Sequence, residues 1–514
     1  MKKLATLCII AALMTGVFLS GCGEKETQGS EQRLIYGSQD YTSINPALYE
    51  HGEINTLIFS GLTAHDADNH VIPALASSWE WDEGQLTYTF NLRTDLTFHD
   101  GEPLTSEDVK FTLEAILDED NQSEIISNYT DIETITCPDA QTVLIKLRQP
   151  NVAFPDYMTI GILPKHLLDG EDLATCEFNR NPVGAGPYKL TSWDVGQSIT
   201  MERFDDYYDG AAKIETVVFK IVPDSDARAI QLKAGDIDMA QITPKAAAEF
   251  EDSDKYQLYT MDTADYRAIA YNFNAPLFKE NPTLANALSY AIDREAVLNS
   301  VLLGQGEAAY SPLQKNIYGS EDLNQFTYSP EKARQLLEAD GWTMGDKGYY
   351  EKDGVELGFA ICAQSDDKVR VDMAKICANQ LQSIGVNAVA EAKPSLDWAN
   401  QDSCIIGWGS PFDADDHTYK VFTTGAGDNY TAYSNSQVDK LLVKARKTVD
   451  EDQRKKLYGE FQKAMASAMP YSFIAYVNAN YVVRNNISGI TENTVLGHHG
   501  VGVFWNIAEW EIEK

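Results

Sequence analysis

Near its C-terminus the chain reads Leu496-Gly497-His498-His499-Gly500-Val501-Gly502, two adjacent histidines between glycines. In a regular strand neighbouring side chains face opposite ways. In a glycine-flanked loop both imidazoles can converge on one ion, and imidazole suits nickel, copper, zinc and iron. The competing reading is surface or hydrogen-bonded histidine, because the chain has eight in all. Two or three imidazoles do not complete an octahedral or square-planar shell. Water, or a small chelator such as free histidine or another amino-carboxylate, would have to fill the rest. Such a chelator needs a cation to hold its carboxylate. The candidate is Arg370, in Asp367-Lys368-Val369-Arg370, just inside a helix start. A guanidinium grips a carboxylate through two parallel hydrogen bonds. Alternatively, Arg370 is a surface residue paired with Asp366 or Asp367.

The elements that would carry these residues alternate between strand and helix patterns throughout. Leu86, Tyr88, Phe90 and Leu92 alternate as a half-buried strand. Thr105 caps a helix striped by Val109, Leu113, Ile116 and Leu117, with acidic residues in its first turn. Leu284, Leu288, Ala291 and Ile292 stripe another after Pro282. Ser329-Pro330 opens a helix that Gly341 ends, and Val369 to Ile384 stripes a further one that Gly385 stops. Tyr471 to Val483 reads as strand. This is an α/β chain in more than one lobe.

With 514 residues, 44% of them hydrophobic, the chain can build a large core. Lys and Arg total 41 against 77 Asp and Glu, a net charge of −36, which repels nucleic-acid phosphates. Neither H-E-x-x-H nor G-x-S-x-G occurs, which argues against a metallohydrolase or a serine hydrolase. Cys137, Cys176, Cys362, Cys377 and Cys404 show no C-x-x-C spacing and no disulfide framework. At the N-terminus, Met1-Lys2-Lys3 and the apolar run Leu4 to Leu19 describe a secretory signal. Leu19-Ser20-Gly21-Cys22 resembles a bacterial lipobox, which implies cleavage of residues 1–21 and lipid attachment to Cys22, with a polar tether to residue 32.

Five further segments, in order along the chain, resemble the family 5 solute-binding proteins of ABC importers. They are Pro73-Ala74-Leu75-Ala76 with Trp79; Phe98-His99-Asp100-Gly101-Glu102-Pro103-Leu104-Thr105; Val183-Gly184-Ala185-Gly186-Pro187-Tyr188; Ala234-Gly235-Asp236-Ile237-Asp238; and Ala287-Leu288-Ser289-Tyr290-Ala291-Ile292-Asp293-Arg294. Two departures are Ala185 in place of the family's Thr, and Ala285-Asn286 where an Arg is usual. Read physically, Asp100-Gly101 is a turn and His99 a structural residue within it. The resemblance implies a two-lobed type II periplasmic-binding-protein fold with a hinge. Lobe I would span residues 33–268 and 482–514, with an inserted subdomain at about 61–184, and lobe II residues 269–481. It implies a monomeric receptor, not an enzyme, that works with permease and ATPase subunits.

Family peptide binders hold the ligand amine with an Asp after a Gly-Trp. Here the segment is Gly407-Trp408-Gly409-Ser410-Pro411-Phe412-Asp413-Ala414-Asp415, more like the nickel binders' pattern. Trp408 and Phe412 are expected to line the cleft, or else to pack in the core. Asp413 is expected to contact the ligand, and Asp413 and Asp415 also fit turn and cap positions. The His498-His499 pair resembles the paired-histidine loop of one nickel-binding subgroup, where a further histidine comes from early in the chain. His51 stands in that place. The expected ligand is therefore nickel, as cargo with a small organic chelator and not as a resident cofactor. A di- or oligopeptide is the alternative.

Overall fold

The computed structural model describes residues 32–49, 52–398, 400–498 and 502–513. The signal segment, Cys22, His51 and His499 lie outside the described residues.

Two sheets, each with its own apolar core, organise the chain. The first has seven strands in the order Tyr256–Met261, Ala479–Arg484, Met239–Ile242, Arg33–Ser38, Thr216–Ile221, Ser198–Arg203 and Tyr188–Asp194. The second has six, in the order Gly306–Ala308, Tyr471–Val477, Tyr266–Tyr271, Ser403–Trp408, Gly358–Gln364 and Asn387–Lys393. The second core draws on residues between Tyr266 and Tyr476, the first on residues up to Met261 and from Ala479 onward. The chain therefore changes sheet twice, across Asp262–Asp265 and at Asn478. The boundaries expected at 268/269 and 481/482 fall a few residues later, inside strands. Apolar runs such as Tyr266–Tyr271, buried at every position, hide the changeover from a pattern reading. A four-stranded antiparallel sheet, Ala76–Asp82, Thr87–Leu92, Thr142–Leu147 and Ile132–Asp139, lies within the span 61–184.

Local chemistry accounts for most element ends. The helix Ser106–Leu117 starts at Thr105, whose backbone N–H donates to the Asp108 carboxylate at 2.8 Å in a capping box. Ser329 caps Pro330–Ala339, and Asp367 caps Lys368–Ser383. The strand expected from Leu86 begins at Thr87, because Leu86 adopts φ +53° in the turn before it. The helix expected to include Ala291 and Ile292 stops at Ser289, and Asp293 caps a new one, Arg294–Val301. A carboxylate able to cap was a stop signal that the apolar stripe masked.

The crossing between sheets is stitched in place. Thr263 Oγ1 donates to Val477 O at 2.6 Å, and Val477 N donates to Asp265 O at 3.0 Å. A third segment joins them: Ala264 N donates to Leu496 O at 2.8 Å and Leu496 N to Asp262 O at 2.9 Å. Gly409 comes so close that a Cβ there would stand 1.7 Å from Ala264 O, at φ +147°. Leu496, and with it His498, is thereby fixed to the point where the chain changes sheets.

His99 sits in its turn as expected of a structural residue. Its Nε2 lies 3.0 Å from Gly186 O, and its Nδ1 accepts from Gly184 N at 3.2 Å. Burial, which disfavours the cation, pushes its pKa down to about 4, and His498 is pushed down to about 4 chiefly for the same reason. The unfolded chain takes up protons at these positions near pH 6.5 and the folded chain does not, so stability must fall as pH drops from about 6.5 to about 4. Urea midpoints across that window should decrease steadily, and His99→Gln should lower the midpoint at pH 7.5 while flattening the slope. An unchanged slope would show that His99 is not held neutral.

Candidate functional site

The strand Tyr266–Tyr271 runs antiparallel to Ser403–Trp408, with Tyr266 opposite Trp408 and Arg267 opposite Gly407. The helix Lys368–Ser383 brings Arg370 to the same place from its first turn. A Cβ on Gly407 would lie 2.2 Å from Arg267 Nη1 and 3.1 Å from Arg370 Nη2, so both guanidiniums converge over that one Cα. Arg267 is 6% exposed and Arg370 8%. Arg370 is therefore not the surface arginine of the alternative reading. Asp367 is nevertheless close, with Oδ2 3.1 Å from Arg370 Nε. That approach lacks the alignment of a hydrogen bond, and the buried Nε has no acceptor. Burial, and then the charge of Arg267, lower the Arg370 pKa to about 10.

His498 reaches this cluster from the stitched segment after Leu496. Its Nδ1 lies 2.8 Å from Asp265 Oδ1, and Arg267 Nη1 donates to the same oxygen. The carboxylate fixes the neutral tautomer: Nδ1 carries the proton and Nε2 the lone pair. Trp408 stacks on the His498 ring at 6.0 Å and 26°, and Tyr430 continues the stack on Trp408 at 6.0 Å and 28°. His417 holds the following turn, its Nδ1 accepting from Gly409 N at 3.0 Å.

The structure thus brings together His498, Arg370 and Trp408 from the expected set, and adds Asp265 and Arg267. Sequence reasoning missed both additions. The available signal was Asp265-Tyr266-Arg267, an ion pair entering an otherwise apolar strand. Phe412 and Asp413 lie elsewhere. Phe412 stacks on His65 at 3.7 Å and 8°. Asp413 is paired with Arg454, Oδ1 to Nη2 at 2.5 Å, and Asp415 is gripped by Arg446 at 2.6 Å and by the Tyr157 hydroxyl at 2.7 Å. These two carboxylates neutralise buried arginines. Among the described residues no three His, Cys, Asp or Glu side chains are grouped to hold a metal ion. The site as described offers one neutral imidazole, two guanidiniums and an indole wall. It can receive a ligand that joins an electron-pair acceptor to an anionic group.

Two lobes joined by crossing strands, with charged groups gathered at the crossing, define a receptor of the type II periplasmic-binding class. The chain belongs to the bacterial extracellular solute-binding proteins, family 5, whose profile matches residues 70–430. It is a substrate-binding protein of an ABC importer. It is 31% identical to the oligopeptide-binding protein AppA of Bacillus subtilis over 100% of this chain and 99% of that one. The structure of that AppA with a nonapeptide has a TM-score of 0.84 at 30% identity, covering 94% of this chain and 99% of its own. NikZ from Campylobacter jejuni, in complex with Ni(L-His), has a TM-score of 0.88 at 36% identity, covering 94% and 99%.

The environment of Asp413 generates a direct test. Removing it leaves the buried Arg454 charge uncompensated, so Asp413→Ala should cost about 3–5 kcal/mol of stability. Denaturant unfolding measures this. A stable Asp413→Ala protein with lost ligand binding would return Asp413 to the ligand site.

Proposed function

We propose that the chain is a lipid-anchored receptor of an ABC importer that captures a nickel chelate, or that of a related transition metal, between its lobes and delivers it to the permease. The observation that carries this reading is His498, an imidazole that burial holds neutral and that Asp265 orients with its lone pair on Nε2, next to Arg370. Neutral imidazole is the form that binds metal, and a guanidinium is the natural seat for a chelator's carboxylate. His51 and His499 are assigned as the other metal-binding residues by their places in the sequence. Trp408 lines the site beside His498. Likeness to a protein crystallised with Ni(L-His) supports the reading. An oligopeptide receptor is the second reading, favoured by the end-to-end likeness to AppA. Against it, Asp413 and Asp415 are each committed to an arginine, which leaves neither to hold a peptide ammonium.

Calorimetry on the metal-stripped chain from Gly23 onward, at pH 7.5, decides between them. Nickel with L-histidine should bind, and His498→Ala should weaken that binding by roughly tenfold or more. Heat with peptides, and none with nickel in either form, would overturn the metal reading. The anchor is tested separately in cells: Cys22→Ser should move the protein from the membrane fraction to the soluble extracytoplasmic fraction. Retention in the membrane would contradict attachment through that sulfur.

A further inference from the structure

The two lobes also meet away from the changeover, and polar groups line that meeting. Ile132 and Tyr157 belong to the first core, Ala414 and Ala445 to the second. Asp131 stands just before the strand Ile132–Asp139, and Tyr157 ends the helix Phe154–Tyr157. Opposite them, Asp415 stands just before the helix Asp416–Phe422, and Arg446 lies in the helix Ser436–Lys447. Hydrogen bonds cross between the two sides. The Tyr157 hydroxyl donates to Asp415 Oδ2 at 2.7 Å, Arg446 Nη1 to Asp131 Oδ2 at 3.3 Å, and Val152 N to Arg446 O at 2.9 Å. Burial, and then the Asp415 charge, raise the Tyr157 pKa well above its ordinary value, so the hydroxyl keeps its proton to donate.

Each side nevertheless keeps partners of its own. Arg446 grips Asp415 through Nε at 3.1 Å and Nη2 at 2.6 Å, and its guanidinium carbon lies 3.4 Å from the centroid of the Tyr419 ring. Asp131 accepts from Gln149 Nε2 at 2.7 Å and from Asn151 Nδ2 at 3.4 Å. If the sides part, Arg446 keeps its carboxylate and Asp131 its amides, while Tyr157 and Val152 turn to water. A buried charge left without a partner is expensive, and separation here strands none. Lys368 also reaches Asp224 and Asp226 across the lobes, at 3.4 Å each, but all three side chains are more than half exposed, where such pairs contribute little.

We propose that Asp131, Tyr157, Asp415 and Arg446 form a separable clasp between the lobes, which favours the closed receptor and sets how tightly it retains a ligand that the clasp does not touch. The inference rests on the receptor reading but not on nickel. A ligand that prefers the closed lobes gains from anything that favours closure, and by the same factor. The crossing bonds exist only when the lobes meet, so their free energy enters ligand affinity from a distance. Asp131 and Tyr157 are positioning residues in this sense.

The test removes single crossing bonds and leaves the pairing within each side intact. Tyr157→Phe deletes one hydroxyl, and Asp131→Asn weakens the pull on Arg446, which keeps Asp415. Hydrogen–deuterium exchange at the Val152 amide reports opening, because that amide is bonded across the clasp. Calorimetry with nickel and L-histidine, and with a nonapeptide library, reports affinity. A hydrogen bond to a charged group is worth about tenfold. In Tyr157→Phe that factor should appear as faster Val152 exchange where the ligand-free lobes rest closed, and as weaker ligand binding where they rest open. Asp131→Asn should act in the same direction. Exchange of amides inside the two sheets should not change, whereas loss of a merely structural bond would speed them as well. Wild-type exchange at Val152 together with wild-type affinity in Tyr157→Phe would overturn the clasp. So would a Val152 amide that exchanges freely in the wild type under every ligand condition, or a loss of protection shared equally by the sheet amides. Failure of nickel to bind, with the exchange or the peptide affinity shifted as expected, would sink the nickel reading and leave the clasp standing.

Discussion

The hydrogen bonds at the changeover between the two sheets are the constraint on which the site depends. Asp262–Asp265 leads from one core to the other, and the return at Asn478 runs beside it. Thr263, Asp265, Val477 and Leu496 tie three distant stretches of chain together there. Thr263, Ala264 and Asp265 are buried yet belong to neither apolar core, and directional bonds hold them. The same bonds place Asp265 at the junction, with one oxygen shared by an imidazole from the C-terminal stretch and a guanidinium from the second sheet. A movement of the lobes is therefore a movement of the site's own parts.

Away from that junction, the buried arginines Arg294, Arg446 and Arg454 are met by acceptors. Arg446 is gripped by Asp415 and reaches Asp131, and Arg454 is held by Asp413. Arg294 is satisfied instead by backbone carbonyls, those of Ala309 and Phe473 at 3.0 and 2.9 Å among them. In these places the protein supplies acceptors for what it buries. Arg267 and Arg370 depart from this pattern, each with a buried Nε that has no acceptor.

Much of this was legible in the sequence. Helix starts were readable because a capping side chain acts within three residues, as Thr105, Ser329 and Asp367 do. The family was readable from motifs that are mostly turns, such as His99-Asp100-Gly101, whose backbone needs are local. The sheet changeovers were not, because Tyr266–Tyr271 and all of Ala479–Arg484 but its last residue are buried on both faces, and the pattern does not say which core receives them. Arg370 and Trp408 were found by motif context, and the structure places both beside His498. Asp413 was singled out by the same context, but its partner Arg454 lies 41 residues away, and nothing local signals that pairing. Asp265 and Arg267 escaped because their meaning depends on a register, Arg267 against Gly407, that only folding creates.

The placement of Ala479–Arg484 bears on how the chain reaches its native state. That strand lies between Tyr256–Met261 and Met239–Ile242, so the edge strand is attached to its sheet only through residues near the end of the chain. The other sheet is built wholly from residues 266–477. The second lobe is thus a continuous stretch that can assemble as soon as it is available, whereas the first must wait until almost all of the polypeptide has been made. Long-range pairing of this kind is slow, because loop closure precedes its reward. The strand that completes the first sheet is made late, and the Leu496 stretch that follows it carries His498 to the junction. The contact between Asp265 and His498 therefore needs chain from both sides of the second lobe, and it forms late.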